Sequence, residues 1–159
     1  MPRLIAPRLI APRLIAPRLI VPRLIAAVTL AFLLASGPAS AGDADVKAAR
    51  EVIQNQFEAF LADDPARAYS FAAPNIKRFF PTQQSFMSMV ESGYMPVRRP
   101  QSYAFGKAQE MSATSIAQQV LLVGPDGKSY EALYTLELQP DGSWLITGVS
   151  MRASSALTT

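Results

Sequence analysis

The sequence predicts an α+β domain in which three N-terminal helices, one of them long, pack on a curved antiparallel sheet of about four strands. Apolar residues recur every three or four positions in the first half of residues 42–159, which is the period of a helix. In the second half they recur at every second position, which is the period of a half-buried strand. Twisting such a sheet around a long first helix leaves a cone with an open mouth.

The helical half divides at three capping signals. The first helix is predicted from an N-cap at Asp43 or Asp45 to about Ala62, with an apolar stripe on one face. That stripe consists of Val46, Ala49, Ile53, Phe57, Phe60 and Leu61. Asp64 and Pro65 suit the N-cap and first position of a short second helix, and a brief turn is expected over residues 75–80. Thr82 can cap a third helix that Gly93 closes.

The second half reads as a four-stranded meander. Residues 116–123, 129–138 and 144–151 are joined by Pro-Asp-Gly turns at 125–127 and 140–142, which predict two antiparallel hairpins. Residues 103–108 give a weaker first strand. In the third strand, Tyr130 and Tyr134 share the core face, while Glu131 and Glu137 point to the opposite face.

Residues 1–41 predict a signal peptide that contains a pentapeptide repeat. The leader contains five copies of Pro-Arg-Leu-Ile-Ala, with Val21 replacing one Ala, and an uncharged run over residues 24–35. The run breaks at Ser-Gly-Pro, and Ala-Ser-Ala follows at residues 39–41. A basic flank, a short apolar run and small residues are typical of a secretory signal peptide, so cleavage is expected between Ala41 and Gly42. The mature protein, residues 42–159, would be periplasmic or secreted. The alternative is an uncleaved anchor, which would be its only membrane contact.

Composition excludes several classes of function. The chain contains no Cys and no His, which excludes disulfides, Cys or His zinc sites and imidazole-based triads. No cofactor or metal site is predicted. Five of the 15 basic residues lie in the leader, so residues 42–159 carry 10 basic against 12 acidic residues, a net charge of −2. That balance argues against a nucleic-acid partner.

Five residues are candidates for ligand binding. Arg98 and Arg99, on a predicted loop, could hold an anion through their planar guanidinium groups. Tyr94, Tyr130 and Tyr134 could place hydroxyl groups in the cone. Each has a structural alternative, since the tyrosines also fit core packing and the arginines a local salt bridge. The pair Asp63-Asp64 is better explained by helix capping than by acid–base chemistry.

Residues 46–152 resemble a bacterial family, domain of unknown function 4864, within the nuclear-transport-factor-two-like or cystatin-like cone folds. The most specific stretch is Phe-x-x-Met-Val-x-x-Gly-Tyr-x-x-Val-x-x-Pro over residues 86–100. The other residues that carry it are Ile53, Gln56, Ala59, Phe60, Asp63, Asp64, Ala68, Phe71, Ala72, Pro74, Ile76 and Phe79. The resemblance implies a fold and assigns no catalytic residue, because relatives in the wider fold include isomerases, dehydratases and binding modules.

Three hypotheses of function follow. The first is a non-enzymatic exported module that binds a small apolar or anionic ligand, or interacts with another protein. The second is a His-free isomerase or dehydratase that uses a Tyr and a carboxylate in the cone. It requires a buried acid with a raised pKa within reach of a Tyr hydroxyl. The third is a homodimer formed through the exposed face of the sheet.

Overall fold

The computed structural model describes residues 41–154, and five helices precede four strands within that range. The helices are α1 (Ala41–Leu61), α2 (Pro65–Ser70), α3 (Pro74–Phe79), α4 (Gln83–Gly93) and α5 (Met95–Arg98). The strands are β1 (Ser102–Ser112), β2 (Ser115–Val123), β3 (Ser129–Leu138) and β4 (Trp144–Ala153). The predicted α+β class is confirmed, with two more short helices than expected. The repeat and apolar run of the leader lie outside the described residues.

The long helix α1 carries the predicted apolar stripe. Ala49, Ile53, Phe57 and Phe60 are all at most 2% exposed. Leu61 was wrongly placed on that stripe, since it is 49% exposed at the end of the helix. Helix α1 also begins at Ala41, before either predicted N-cap. Asp43 therefore lies in the first turn, where its charge still complements the helix dipole. Within residues 41–154, no helix is long and apolar enough to cross a membrane.

The short helices begin where the chain offers caps or prolines. The side chain of Asp64 accepts a hydrogen bond from the backbone N–H of Arg67 at 2.9 Å, and Pro65 opens α2. The predicted turn over residues 75–80 was wrong, because Pro74 starts the helix α3 there. Thr82 caps α4 in a reciprocal capping box with Ser85.

The four strands form one antiparallel sheet in the order β1-β2-β3-β4. The predicted bounds of β3 are confirmed, and β1 extends further than predicted, from Ser102 to Ser112. Gly127 and Gly142 take φ values of 76° and 84° in the two Pro-Asp-Gly turns. This left-handed conformation favours glycine because it has no Cβ.

One face of the sheet packs on the helices and the other faces outward. On β3, Ala132, Tyr134 and Leu136 are fully buried, whereas Leu133 is 43% exposed on the opposite face. Glu137 is exposed on that outer face, as the alternation predicted. The core joins α1, α2, α4 and α5 to the inner face of β2, β3 and β4.

Candidate functional site

A cavity of about 270 Å³ lies between the helices and β4. The helices α1, α3, α4 and α5 and the strand β4 supply its walls. Its lining is mostly apolar and aromatic, with Phe80 following α3 and Tyr94 following α4: Gln56, Phe60, Ile76, Phe80, Phe86, Met89, Val90, Tyr94, Val97, Ile146, Gly148 and Val149.

A short stretch of chain between α2 and α3 fixes the wall of the cavity to the sheet edge. The N–H of Ile146 donates to the carbonyl of Phe71 at 2.9 Å, and the N–H of Ala73 donates to the carbonyl of Ile146 at 2.8 Å. Ala72 thereby forms a parallel bridge with Ile146 on the edge strand β4. These bonds place α3 beside β4 and protect part of an otherwise open strand edge.

An irregularity in β4 shapes the floor of the cavity. Leu136 pairs with Ile146 and Thr135 pairs with Gly148, so Thr147 is an extra residue in the ladder. Its carbonyl accepts a hydrogen bond from the Asn75 side chain of α3 at 2.8 Å. Because the bulge interrupts the alternation, residues on both sides of it line the same cavity.

Two polar side chains, Gln56 and Tyr94, line the cavity. Gln56 is 4% exposed, and its Nε2 donates to the carbonyl of Ala68 at 3.2 Å. Tyr94 is half-buried, and its hydroxyl donates to the carbonyl of Val149 at 3.0 Å. Tyr94 is thus the one ligand-binding candidate from the sequence that the structure places on the cavity wall.

The other two candidate tyrosines lie elsewhere. Tyr134 is completely buried in the core, where its ring packs edge-on against Phe57 with centroids 6.0 Å apart. Burial raises the pKa of its hydroxyl, which has no hydrogen-bond partner among the described residues. Tyr130 donates to Asp126 at 2.7 Å, and that bond raises the pKa of Tyr130 and lowers the pKa of Asp126. The sequence grouped these hydroxyls, and the structure does not bring them together.

The two arginines close the C-terminal end of α1. Arg98 lies in α5 rather than on the predicted loop, and Pro96 near the start of that helix suits its first turn. Arg98 and Arg99 both donate to the carbonyl of Phe60, at 2.9 and 3.0 Å. Both also pair with the carboxylate of Asp63. Cations at a helix C-terminus satisfy its free carbonyls and oppose the negative end of its dipole.

Asp63 takes the place that glycine often occupies after a helix. Its φ is 54°, its N–H donates to the carbonyl of Phe60, and the N–H of Asp64 donates to the carbonyl of Ala59. This is the Schellman pattern, in which the residue after the helix has a left-handed conformation. Asp adopts that conformation less readily than Gly but more readily than a β-branched residue. The hydrogen bond from Arg98 lowers the pKa of Asp63 below its ordinary value. Both aspartates therefore have structural roles.

A second depression, of about 360 Å³, lies beside these residues. Three carboxylates line it, from Asp63, Asp64 and Glu91, together with one cation, Arg98. Arg98 also contacts Glu91 at 3.4 Å, so its charge is shared between two carboxylates. An anion at this place would meet an excess of negative charge, because each guanidinium is already paired.

A family model and a solved structure match this chain. The family described as Domain of unknown function (DUF4864) matches residues 42–159. The chain belongs to this family. A solved structure, an NTF2-like protein of unknown function from Shewanella baltica OS155, is similar with a TM-score of 0.49 and 11% sequence identity. The likeness covers 71% of this chain and 96% of that one. No hand-curated protein matches the chain.

The polar group that sequence reasoning missed in this DUF4864 chain is Gln56. It belongs to the residues that carry the resemblance, which implies no role for it. A signal was present, because Gln56 follows Ile53 by three positions and precedes Phe60 by four, which places it on the buried stripe of α1. A buried polar residue on an apolar stripe needs a hydrogen-bond partner, so its place in the pattern is informative.

The outer face of the DUF4864 sheet carries the predicted dimer surface. Leu121 and Leu133 are 44% and 43% exposed there, and Glu131 pairs with Arg152 at 2.8 Å. The pairing lowers the pKa of Glu131. Homodimer formation through this face stays a prediction.

Proposed function

We propose that this DUF4864 domain is a non-enzymatic binding module that holds a small, neutral, largely apolar ligand in the cavity between α1, α3, α4 and β4. The observation that carries the proposal is the cavity itself, about 270 Å³ in volume and lined by aromatic and aliphatic side chains. Ligand sites in proteins are concave and mostly apolar, with a few polar groups that fix orientation. An engineered apolar cavity of about 150 Å³ holds benzene, so this one has room for about ten heavy atoms.

The charges around the cavity favour a neutral ligand over the anion that the arginine pair suggested. None of the cavity-lining residues among the described part of the chain is Arg or Lys. Arg98 and Arg99 are held by Phe60 and Asp63 at the end of α1. Transfer of a carboxylate into an apolar cavity without a counter-ion is strongly unfavourable.

The rival hypothesis, an isomerase or dehydratase, requires a carboxylate within reach of a Tyr hydroxyl. Tyr94 supplies a hydroxyl, but no Asp or Glu is among the described residues that line the cavity. The acids with shifted pKa values in residues 41–154 all shift downward, away from the behaviour of a general base or acid poised near neutrality. These observations support binding over proton transfer.

We further propose that the domain works after export. The leader has a basic flank, a short apolar run and an Ala-Ser-Ala end. The family match also begins at residue 42, the expected first residue of the mature chain. An apolar cavity in an exported protein would keep a poorly soluble molecule out of water.

Methyl NMR would test the proposal at the cavity wall. The full chain is expressed with methionine labelled at the ε-methyl group, and toluene, benzyl alcohol and benzoate are titrated separately. Met89 lines the cavity, whereas Met111 on β1 is 60% exposed and does not line it. We expect a saturable shift of the Met89 signal with the two neutral probes, and none with benzoate.

A pair of variants on β4 provides the control. Val149 lines the cavity, and its neighbour Ser150 is exposed on the sheet. Val149→Phe should fill part of the cavity and abolish the Met89 shift, while Ser150→Phe should leave it unchanged. Equal responses of Met89 and Met111, or no saturable response, would refute the proposed function.

A further inference from the structure

We infer that Gln56 determines the specificity of the cavity, and that its ligand is a neutral molecule that donates a hydrogen bond, such as an alcohol or a phenol. This inference rests on the proposed function. It concerns the two polar side chains on the cavity wall, Gln56 and Tyr94, and the atoms that their internal hydrogen bonds leave free.

Gln56 uses only one N–H of its amide for the fold. Its Nε2 donates to the carbonyl of Ala68 at 3.2 Å. That carbonyl lies in the last turn of α2, where helical carbonyls lack intrahelical partners. This bond fixes the orientation of the amide, because the flipped amide would place two acceptor oxygens against each other.

The carbonyl oxygen of the amide is available. Among the hydrogen bonds of residues 41–154, none is donated to Oε1 of Gln56, and the residue as a whole is 4% exposed. Oε1 is not among the polar atoms of these residues that are both fully buried and without a partner, so a group in the cavity can reach it. A donor placed there would form a hydrogen bond with it. A ligand or a trapped water in the cavity would supply the missing donor.

Tyr94 presents the same chemistry. Its hydroxyl hydrogen points to the carbonyl of Val149, at an oxygen–oxygen distance of 3.0 Å. The phenol oxygen keeps a lone pair, which can accept a hydrogen bond. Both polar groups on the wall therefore offer an acceptor, and the one donor left is the second N–H of the Gln56 amide. A ligand group that only accepts, such as an aldehyde, ether or carboxylate, leaves both of those acceptors unpaired.

The required ligand is also uncharged. A protonated amine would donate to both oxygens, but no Asp or Glu lies among the described lining residues to balance its charge. A hydroxyl group donates without carrying a charge. The apolar remainder of the ligand contacts the aromatic wall, which includes Phe60, Phe80 and Phe86.

The test compares two probes of nearly equal size and shape. Benzyl alcohol donates a hydrogen bond, and benzaldehyde only accepts. With the wild-type full chain and the Met89 ε-methyl signal as the readout, we expect benzyl alcohol to bind about tenfold more tightly than benzaldehyde. The variant Gln56→Met keeps the length of the side chain and removes the amide, so the preference should fall to about twofold or less.

The outcomes separate this inference from the function on which it rests. If neither probe shifts Met89 in the wild-type protein, the proposed function fails and this inference fails with it. If both probes bind with equal affinity, or benzaldehyde binds more tightly, the cavity binds ligands but the donor inference is wrong. The wild-type comparison decides this even where Gln56→Met does not fold, because that variant also loses the bond to Ala68. A Gln56→Met protein that folds and keeps the tenfold preference would assign the selectivity to Tyr94 instead and overturn the role of Gln56.

Discussion

Replacing Tyr134 with phenylalanine should stabilise the protein, although it removes a polar atom from the centre of the core. Tyr134 is 0% exposed, and its hydroxyl has no hydrogen-bond partner among the described residues. Burying an unsatisfied hydroxyl costs about 1–3 kcal/mol. Two smaller costs oppose this gain. The lost oxygen leaves a void of about 10 Å³, which costs about 0.2 kcal/mol. The dispersion contacts that the oxygen made are also lost, at a cost of about 0.5 kcal/mol in total. The balance is a gain of about 1 kcal/mol in the free energy of unfolding.

The assay is urea unfolding at neutral pH, followed by circular dichroism, with a second tyrosine as the matched control. Tyr69 donates its hydroxyl to the carbonyl of Phe80 at 2.6 Å, so Tyr69→Phe should lower the free energy of unfolding by about 1 kcal/mol. For Tyr134→Phe the melting temperature should rise by about 4 °C. A loss of stability in Tyr134→Phe as large as that in Tyr69→Phe would refute the reasoning, since it would show that the Tyr134 hydroxyl is satisfied in solution.

Further predictions concern pH, capping and turn geometry. Because burial raises the pKa of Tyr134, the folded state keeps its proton when the unfolded chain loses it, so stability should fall as the pH rises above about 10, and less steeply in Tyr134→Phe. The hydrogen bond from Arg98 lowers the pKa of Asp63 in the folded state below its ordinary value of 3.8. The charged carboxylate therefore stabilises the fold at pH values above 3.8, and this contribution is lost as the pH falls through the pKa of the folded state. Urea midpoints measured from pH 6 to pH 3 should therefore fall less for Asp63→Asn than for the wild type. Asp64→Ala should cost about 1 kcal/mol in urea unfolding through loss of the α2 N-cap, whereas Asp64→Asn should cost little. Gly127→Ala should lower the free energy of unfolding by about 1 kcal/mol, because φ is 76° there. No atom lies within 4 Å of an added Cβ, so the effect is purely conformational. Gly93→Ala should stabilise the protein instead, because φ is not positive there and the space is equally open.

The elements that could be predicted are those with a local signal. The stripe on α1, the Asp64-Pro65 start of α2 and the Pro-Asp-Gly turns depend on neighbouring residues, and the structure places them as expected. The helix α3 was missed because six residues are too few to show a helical period, although Pro74 marks its first position. Leu61 was misplaced because it is the last residue of the helix: Phe60 beside it still faces the core, whereas Leu61 is 49% exposed.

The candidate site could be predicted only in part, because it depends on contacts between distant residues. Tyr94 was chosen for its hydroxyl, and it lines the cavity. The roles of Arg98 and Arg99 depend on Phe60 and Asp63, which lie more than 30 positions earlier in the chain. The bulge at Thr147 has no local signature, yet it brings Ile146 and Val149 to the same cavity. Sequence period alone would have placed those two residues on opposite faces.

A crystal structure of the protein grown with benzyl alcohol tests the central claim most directly. We predict density for the probe between α1, α3, α4 and β4, with its ring against Phe86 and its hydroxyl oxygen about 2.8 Å from Oε1 of Gln56. A cavity that holds only water, or a probe bound on the outer face of the sheet, would contradict the account.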